Sequence, residues 1–82
     1  MYKATITVKL RPSILDPEGK AIEHALGSMG YSALTGVRLG KEIELTVNTG
    51  DRAEAERLVD EAARRLLANT VMEDYSFTLT EA

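Results

Sequence analysis

Residues 2–10 alternate without a break: Tyr2, Ala4, Ile6, Val8 and Leu10 take one parity, and Lys3, Thr5, Thr7 and Lys9 take the other. Successive side chains of an extended strand point to opposite faces, so this segment reads as a strand with one buried and one wet side. A chain that opens this way needs partner strands and an apolar layer to cover its inner face. The rest of the sequence supplies both.

Arg11-Pro12-Ser13 ends the alternation, because Pro12 has no N–H for a strand ladder. Asp16-Pro17-Glu18 then opens a helix. Asp16 can accept from free amides, Pro17 suits the first helical position, and Glu18 favours the positive end of the helix dipole. Ile22, Ala25, Leu26 and Met29 form one apolar stripe, and Gly30 provides the left-handed residue that ends the helix.

Residues 34–48 read as a hairpin. A Gly40-Lys41 two-residue turn would set Leu39 opposite Glu42. A three-residue Gly40-Lys41-Glu42 loop instead pairs Leu39 with Ile43, Val37 with Leu45, and Arg38 with Glu44. The longer loop is therefore expected. After the Asn48-Thr49-Gly50 turn, Asp51 and Glu54 match a capping box. Ala55, Leu58, Val59, Ala62, Ala63 and Leu66 trace a second helical stripe that should end near Asn69. Tyr75, Phe77 and Leu79 alternate with polar residues in a last strand.

The order β-α-β-β-α-β defines a single α+β domain over residues 1–82, a ferredoxin-like two-layer sandwich with two helices on one face of an antiparallel sheet. Eighty-two residues bury a small core, and the absence of cysteine rules out disulfide or thiolate–metal reinforcement. Self-association is the remaining route to more buried area. No segment approaches the ~20 apolar residues of a membrane span, and the first residues lack a signal-peptide run, so a cytoplasmic location is expected. A net charge of −3 argues against a nucleic-acid scaffold.

Candidate chemistry is sparse. His24, the only histidine, falls opposite the first helix's apolar stripe, and the acidic residues sit at helix starts or on wet faces. No His, Asp and Glu residues have metal-ligand spacing, so no catalytic, cofactor-binding or metal-binding residue is expected. The wet sheet face carries Lys3, Thr5, Thr7, Lys9, Glu42, Glu44 and Thr46, without the aromatic residues that stack RNA bases in domains of this fold. Two segments stand out: the Leu10–Lys20 loop and helix start, and the basic Val37–Lys41 stretch on an acidic chain.

Leu10-Arg11-Pro12, Leu15-Asp16-Pro17-x-Gly19-Lys20, Ala25-Leu26, Gly30-Tyr31 and Val37-Arg38-x-Gly40-Lys41-x-Ile43-Glu44-Leu45 occur in this order. The set resembles the small PurS subunits of phosphoribosylformylglycinamidine synthase over most of the chain, with Ser13 in place of an expected glycine and Glu18 in place of a common glutamine. The resemblance implies an accessory, non-catalytic subunit of an ATP- and glutamine-dependent C–N ligase of de novo purine biosynthesis. It implies a synthetase large subunit and a glutaminase subunit as partners, a bridging role that shields ammonia in transit, dimers or tetramers, and no cofactor. On this reading Arg11, Asp16, Lys20, Arg38 and Lys41 lie at partner contacts. An ACT-type small-molecule-binding regulatory module is the alternative, with its ligand at the first strand-to-helix loop.

Overall fold

The alternation of residues 2–10 becomes the middle of the sheet. The computed structural model describes all of residues 1–82, in the order β1 (Tyr2–Leu10), α1 (Pro17–Ser28), β2 (Gly40–Val47), α2 (Arg52–Ala62) and β3 (Glu73–Glu81). The sheet is antiparallel in the order β2-β1-β3. Its register aligns the apolar parities: Ile6 faces Ile43 on one side and Phe77 on the other, and Ala4 faces Leu45 and Leu79.

Helix α2 covers that apolar face with Ala55, Val59 and Ala63, each at most 1 % exposed, over Ala4, Ile6 and Val8. Burying side chains such as Ile6, Val8 and Val59 stabilises the fold by about 1.5–3 kcal/mol each. Asp51 caps α2 by accepting from the Ala53 N–H at 3.0 Å, but Glu54 turns to Arg57, so only half of the expected capping box forms. A π-turn at Ala63–Leu67 prolongs the helix, with the Ala68 N–H donating to the Ala63 carbonyl. Its extra residue rotates the stripe: Leu66, expected in the core, is 81 % exposed, while Leu67 is half-buried and Ala68 buried.

Helix α1 begins and ends where its signals lie. Asp16 is the N-cap and Pro17 the first helical residue, and Gly30 takes φ 92°. The Tyr31 N–H donates to Leu26 and the Gly30 N–H to Gly27, which is the Schellman pattern.

The placement of α1 differs from expectation. It was expected beside α2 on the sheet, yet only α2 packs closely on β1 and β3. The stripe of α1 is bare, with Ile22 42 % and Met29 70 % exposed. The predicted hairpin is also open. Residues Val37–Leu39 form no strand, and the chain runs straight from them into β2. Together, α1 and residues 31–39 form an arm projecting from the sheet, which makes the molecule 50 Å long and 13 Å thick. No helix is long and apolar enough to cross a membrane.

Candidate functional site: the loop and arm joined by Asp16 and Arg38

Side-chain hydrogen bonds strap the base of the arm to the loop that follows β1. Asp16 is a buried carboxylate, 5 % exposed, with both oxygens engaged. Oδ1 accepts from the Gly19 N–H at 2.9 Å, and Oδ2 accepts from the Leu39 N–H at 2.8 Å. One residue thus starts α1 and holds the entry to β2. The Leu39 amide, then the Gly19 amide, hold its carboxyl below the usual 3.8, and the nearby Arg38 charge adds to the effect. Glu23, one turn further along α1, accepts from the Val37 N–H at 3.1 Å.

Arg38 completes the strap from the other side. Its Nη2 donates to the carbonyls of Leu10, Arg11 and Ile14 at 3.2, 2.8 and 3.0 Å. These carbonyls lie at the end of β1 and in the proline-containing turn that follows it, where that of Arg11 also accepts from the Ile14 N–H at 2.9 Å. Folding Val37–Leu39 back into a hairpin would break every one of these bonds, which explains the open form.

Gly19 is essential to the close approach. A Cβ there would collide with the Val37 carbonyl oxygen and lie 3.0 Å from Asp16 Oδ2. The sequence marks Gly19 as part of the motif, but its contact with residue 37 becomes visible only in three dimensions.

The five residues singled out from the sequence cluster at this end of the sheet with different employment. Arg11 donates from Nη2 to the Thr70 carbonyl and pairs with Asp74 at 3.4 Å, which ties the loop to the start of β3. Asp16 and Arg38 form the strap. Lys41 stands 4.0 Å from Glu73, with most of its side chain in water. Lys20 is exposed on α1. Sequence reasoning missed Glu23 and Glu73, whose roles depend on residues far along the chain. An open cleft lies between loop and strand, lined by Lys9, Asp16, Glu18, Lys41 and Glu73 among others. Of the carboxylates that line it, that of Asp16 is already engaged by the chain's own amides.

A second polar cluster sits on α2, where Arg57 bridges Glu54 and Glu61, and Arg64 pairs with Asp60 at 3.1 Å. Asp60 also accepts from the Tyr75 hydroxyl at 2.6 Å, joining helix to sheet. That bond, then Arg64, lowers the Asp60 carboxyl, and the same bond raises the Tyr75 hydroxyl.

These features define a class: a ferredoxin-like α+β scaffold whose polar groups shape a loop and an arm. The model of the PurS family, phosphoribosylformylglycinamidine (FGAM) synthase, matches residues 3–81, and the chain belongs to that family. It is 48% identical over 81 residues to phosphoribosylformylglycinamidine synthase subunit PurS of Bacillus subtilis, covering 99% of this chain and 95% of that protein. The crystal structure of PurS from Methanocaldococcus jannaschii, titled as one of the subunits of formylglycinamide ribonucleotide amidotransferase in the purine biosynthetic pathway, superposes with a TM-score of 0.88. That structure is 33% identical, with 100% of this chain and 99% of that one covered. A chain in the structure of PurLQS from Thermotoga maritima superposes with a TM-score of 0.88 at 33% identity, covering 96% of both.

Proposed function

We propose that this chain is the non-catalytic small subunit of a cytoplasmic phosphoribosylformylglycinamidine synthase, bridging a glutaminase subunit and a synthetase large subunit and associating with itself. The observation that carries the reading is the family match over residues 3–81, joined to the likeness with a chain of PurLQS. In such an enzyme, ammonia released from glutamine attacks an amide activated with ATP. Free ammonia is lost or protonated in water, so two active sites held in fixed apposition raise the yield of the transfer. A rigid sheet with a strapped loop can fix such an apposition.

Arg11, Asp16, Lys20, Arg38 and Lys41 mark the proposed partner contacts. Lys20 and Lys41 would act through their water-facing ammonium groups. Arg11, Asp16 and Arg38 would act by holding the loop backbone in the shape presented to a partner. The test is co-elution of the chain with synthetase and glutaminase subunits, in the wild type and in the Lys20→Glu, Lys41→Glu double variant. The wild type should co-elute, and the double variant should elute separately while keeping its circular dichroism. Equal co-elution of the two would remove these lysines from the contact, and no co-elution of either would reject the subunit reading.

A further inference from the structure

The chain carries more acid than base, 13 Asp and Glu against 10 Lys and Arg, so there is a carboxylate for every cation. All the cations but Lys9, Lys20 and Arg38 stand within 4.0 Å of one. Two of those three, Lys9 and Arg38, line the same open cleft of about 330 Å³, together with Leu10, Pro12 and Gly36 and no acidic residue. Unpaired cations side by side are out of place on a chain with acid to spare.

The acids within reach are otherwise employed. Lys9 has Asp74 as its cross-strand neighbour on β3, but Asp74 pairs with Arg11. Arg38 lies near Asp16, but both Asp16 oxygens are spent on the amides of Gly19 and Leu39.

The two cations are also held in place. The Lys9 stem lies across Gly40, its partner on β2, where a Cβ would stand 2.7 Å from Lys9 Cγ and 3.4 Å from Cε. Glycine at residue 40 thus lets the stem run over the strand pair. Arg38 is fixed by the three carbonyls on Nη2, which leaves the N–H groups on Nε and Nη1 without a partner in the chain. Gly36, with φ 70°, puts no side chain into the space between. Two ordered like charges repel, and only an anion from outside the chain relieves them.

We propose that this cleft receives the carboxylate of an Asp or Glu side chain presented by a partner subunit, held between the Lys9 ammonium and the free N–H groups of Arg38. This rests on the subunit reading and adds Lys9, and the chemistry of what it meets, to the contact. A guanidinium suits a carboxylate or a phosphate equally in shape. The openness of the cleft decides between them. Exposed ion pairs are individually weak, so a free anion would be held no better than at roughly millimolar concentration. An acid carried on a partner arrives at the high effective concentration set by the rest of the interface.

Because Lys9 is unpaired, Lys9→Met removes the charge, keeps the stem and breaks no bond within the chain. Carbodiimide treatment of the complex with both subunits should join the Lys9 amine to an Asp or Glu of one of them, read as a linked peptide pair by mass spectrometry. Lys9→Met should raise the dissociation constant for that subunit roughly three- to tenfold at low salt and flatten its rise with salt. The urea midpoint of the lone chain should stay the same or rise. Lys3→Met, which removes a paired lysine from the same face of β1, should change the constant by less than about twofold. Lys9 linked only within its own chain or to a second copy overturns the proposal, as does an unchanged constant in Lys9→Met. An equal loss in Lys3→Met also overturns it, by reducing the effect to net charge. Inorganic phosphate titrated into the chain alone should give no heat; tight binding abolished by Lys9→Met would assign the cleft to a free anion instead. A chain that co-elutes with neither subunit sinks the subunit reading and the cleft's occupant together, whereas co-elution with Lys9 unlinked sinks the occupant alone.

Discussion

Two glycines of α1 give opposite answers to the same substitution, and the difference isolates the strap. Gly19 and Gly27 both have ordinary helical backbone, and alanine inside a helix is favoured over glycine by about 0.8–1 kcal/mol. On propensity alone both Gly→Ala variants would firm the arm. At Gly27 a Cβ meets nothing within 4 Å, so that gain should be realised nearly in full. At Gly19 the Cβ meets the Val37 carbonyl and the Asp16 carboxylate, and both must shift. Forced backbone shifts of this kind cost about 1–3 kcal/mol. The propensity gain is common to both, so the variants should differ in arm stability by about 1–3 kcal/mol. Hydrogen exchange of the α1 amides reads this locally, where a global melt dominated by the sheet would not. Gly19→Ala should exchange roughly 5- to 140-fold faster than Gly27→Ala at matched concentration. Equal exchange in the two variants would refute the claim that residue 19 bears on residue 37.

Further outcomes follow from the same contacts. Asp16 has a depressed folded pKa, so its stabilisation of the arm is full above its usual 3.8 and is lost as pH falls through the lower folded value. Wild-type α1 protection should drop in that acid range, and Asp16→Asn should show weaker protection without the step. The Asp60–Tyr75 bond works between two limits. The lowered Asp60 contributes above 3.8 and is lost as pH falls, whereas the raised Tyr75 contributes below 10.0 and is lost as pH rises. The gap in urea stability between wild type and Tyr75→Phe should therefore be widest at neutral pH and close at both extremes. Ile6 is fully buried at the centre of the sheet, so Ile6→Ala should cost about 2–5 kcal/mol in urea unfolding, and a loss below 1 kcal/mol would contradict that placement.

What the sequence made legible was local. The alternation of residues 2–10, the Asp16 and Asp51 caps and the Gly30 stop depend on residues within a turn of one another, and all appear in the structure. The hairpin misled because complementary side chains on either side of Lys41 do not decide whether the chain turns back there. Whether Val37–Leu39 turns back is decided by Asp16, Glu23 and Arg38, whose partners lie 14 to 28 positions away. The π-turn is invisible for another reason: nothing in Ala63-Arg64-Arg65-Leu66-Leu67 distinguishes a one-residue insertion from a regular helix, and regular periodicity points to Leu66 for the place taken by Leu67 and Ala68. At the site, Arg11, Asp16, Lys20, Arg38 and Lys41 were recognisable through the resemblance, but the division between those spent on the backbone and those left in water was not.

The account stands most directly on a reconstitution. Synthetase and glutaminase subunits are assayed with and without this chain, once with glutamine and once with free ammonium as the nitrogen source. The chain should raise the glutamine-driven rate severalfold and leave the ammonium-driven rate nearly unchanged. Equal dependence of both rates on the chain, or product formed by the chain alone, would contradict a bridging subunit without chemistry of its own.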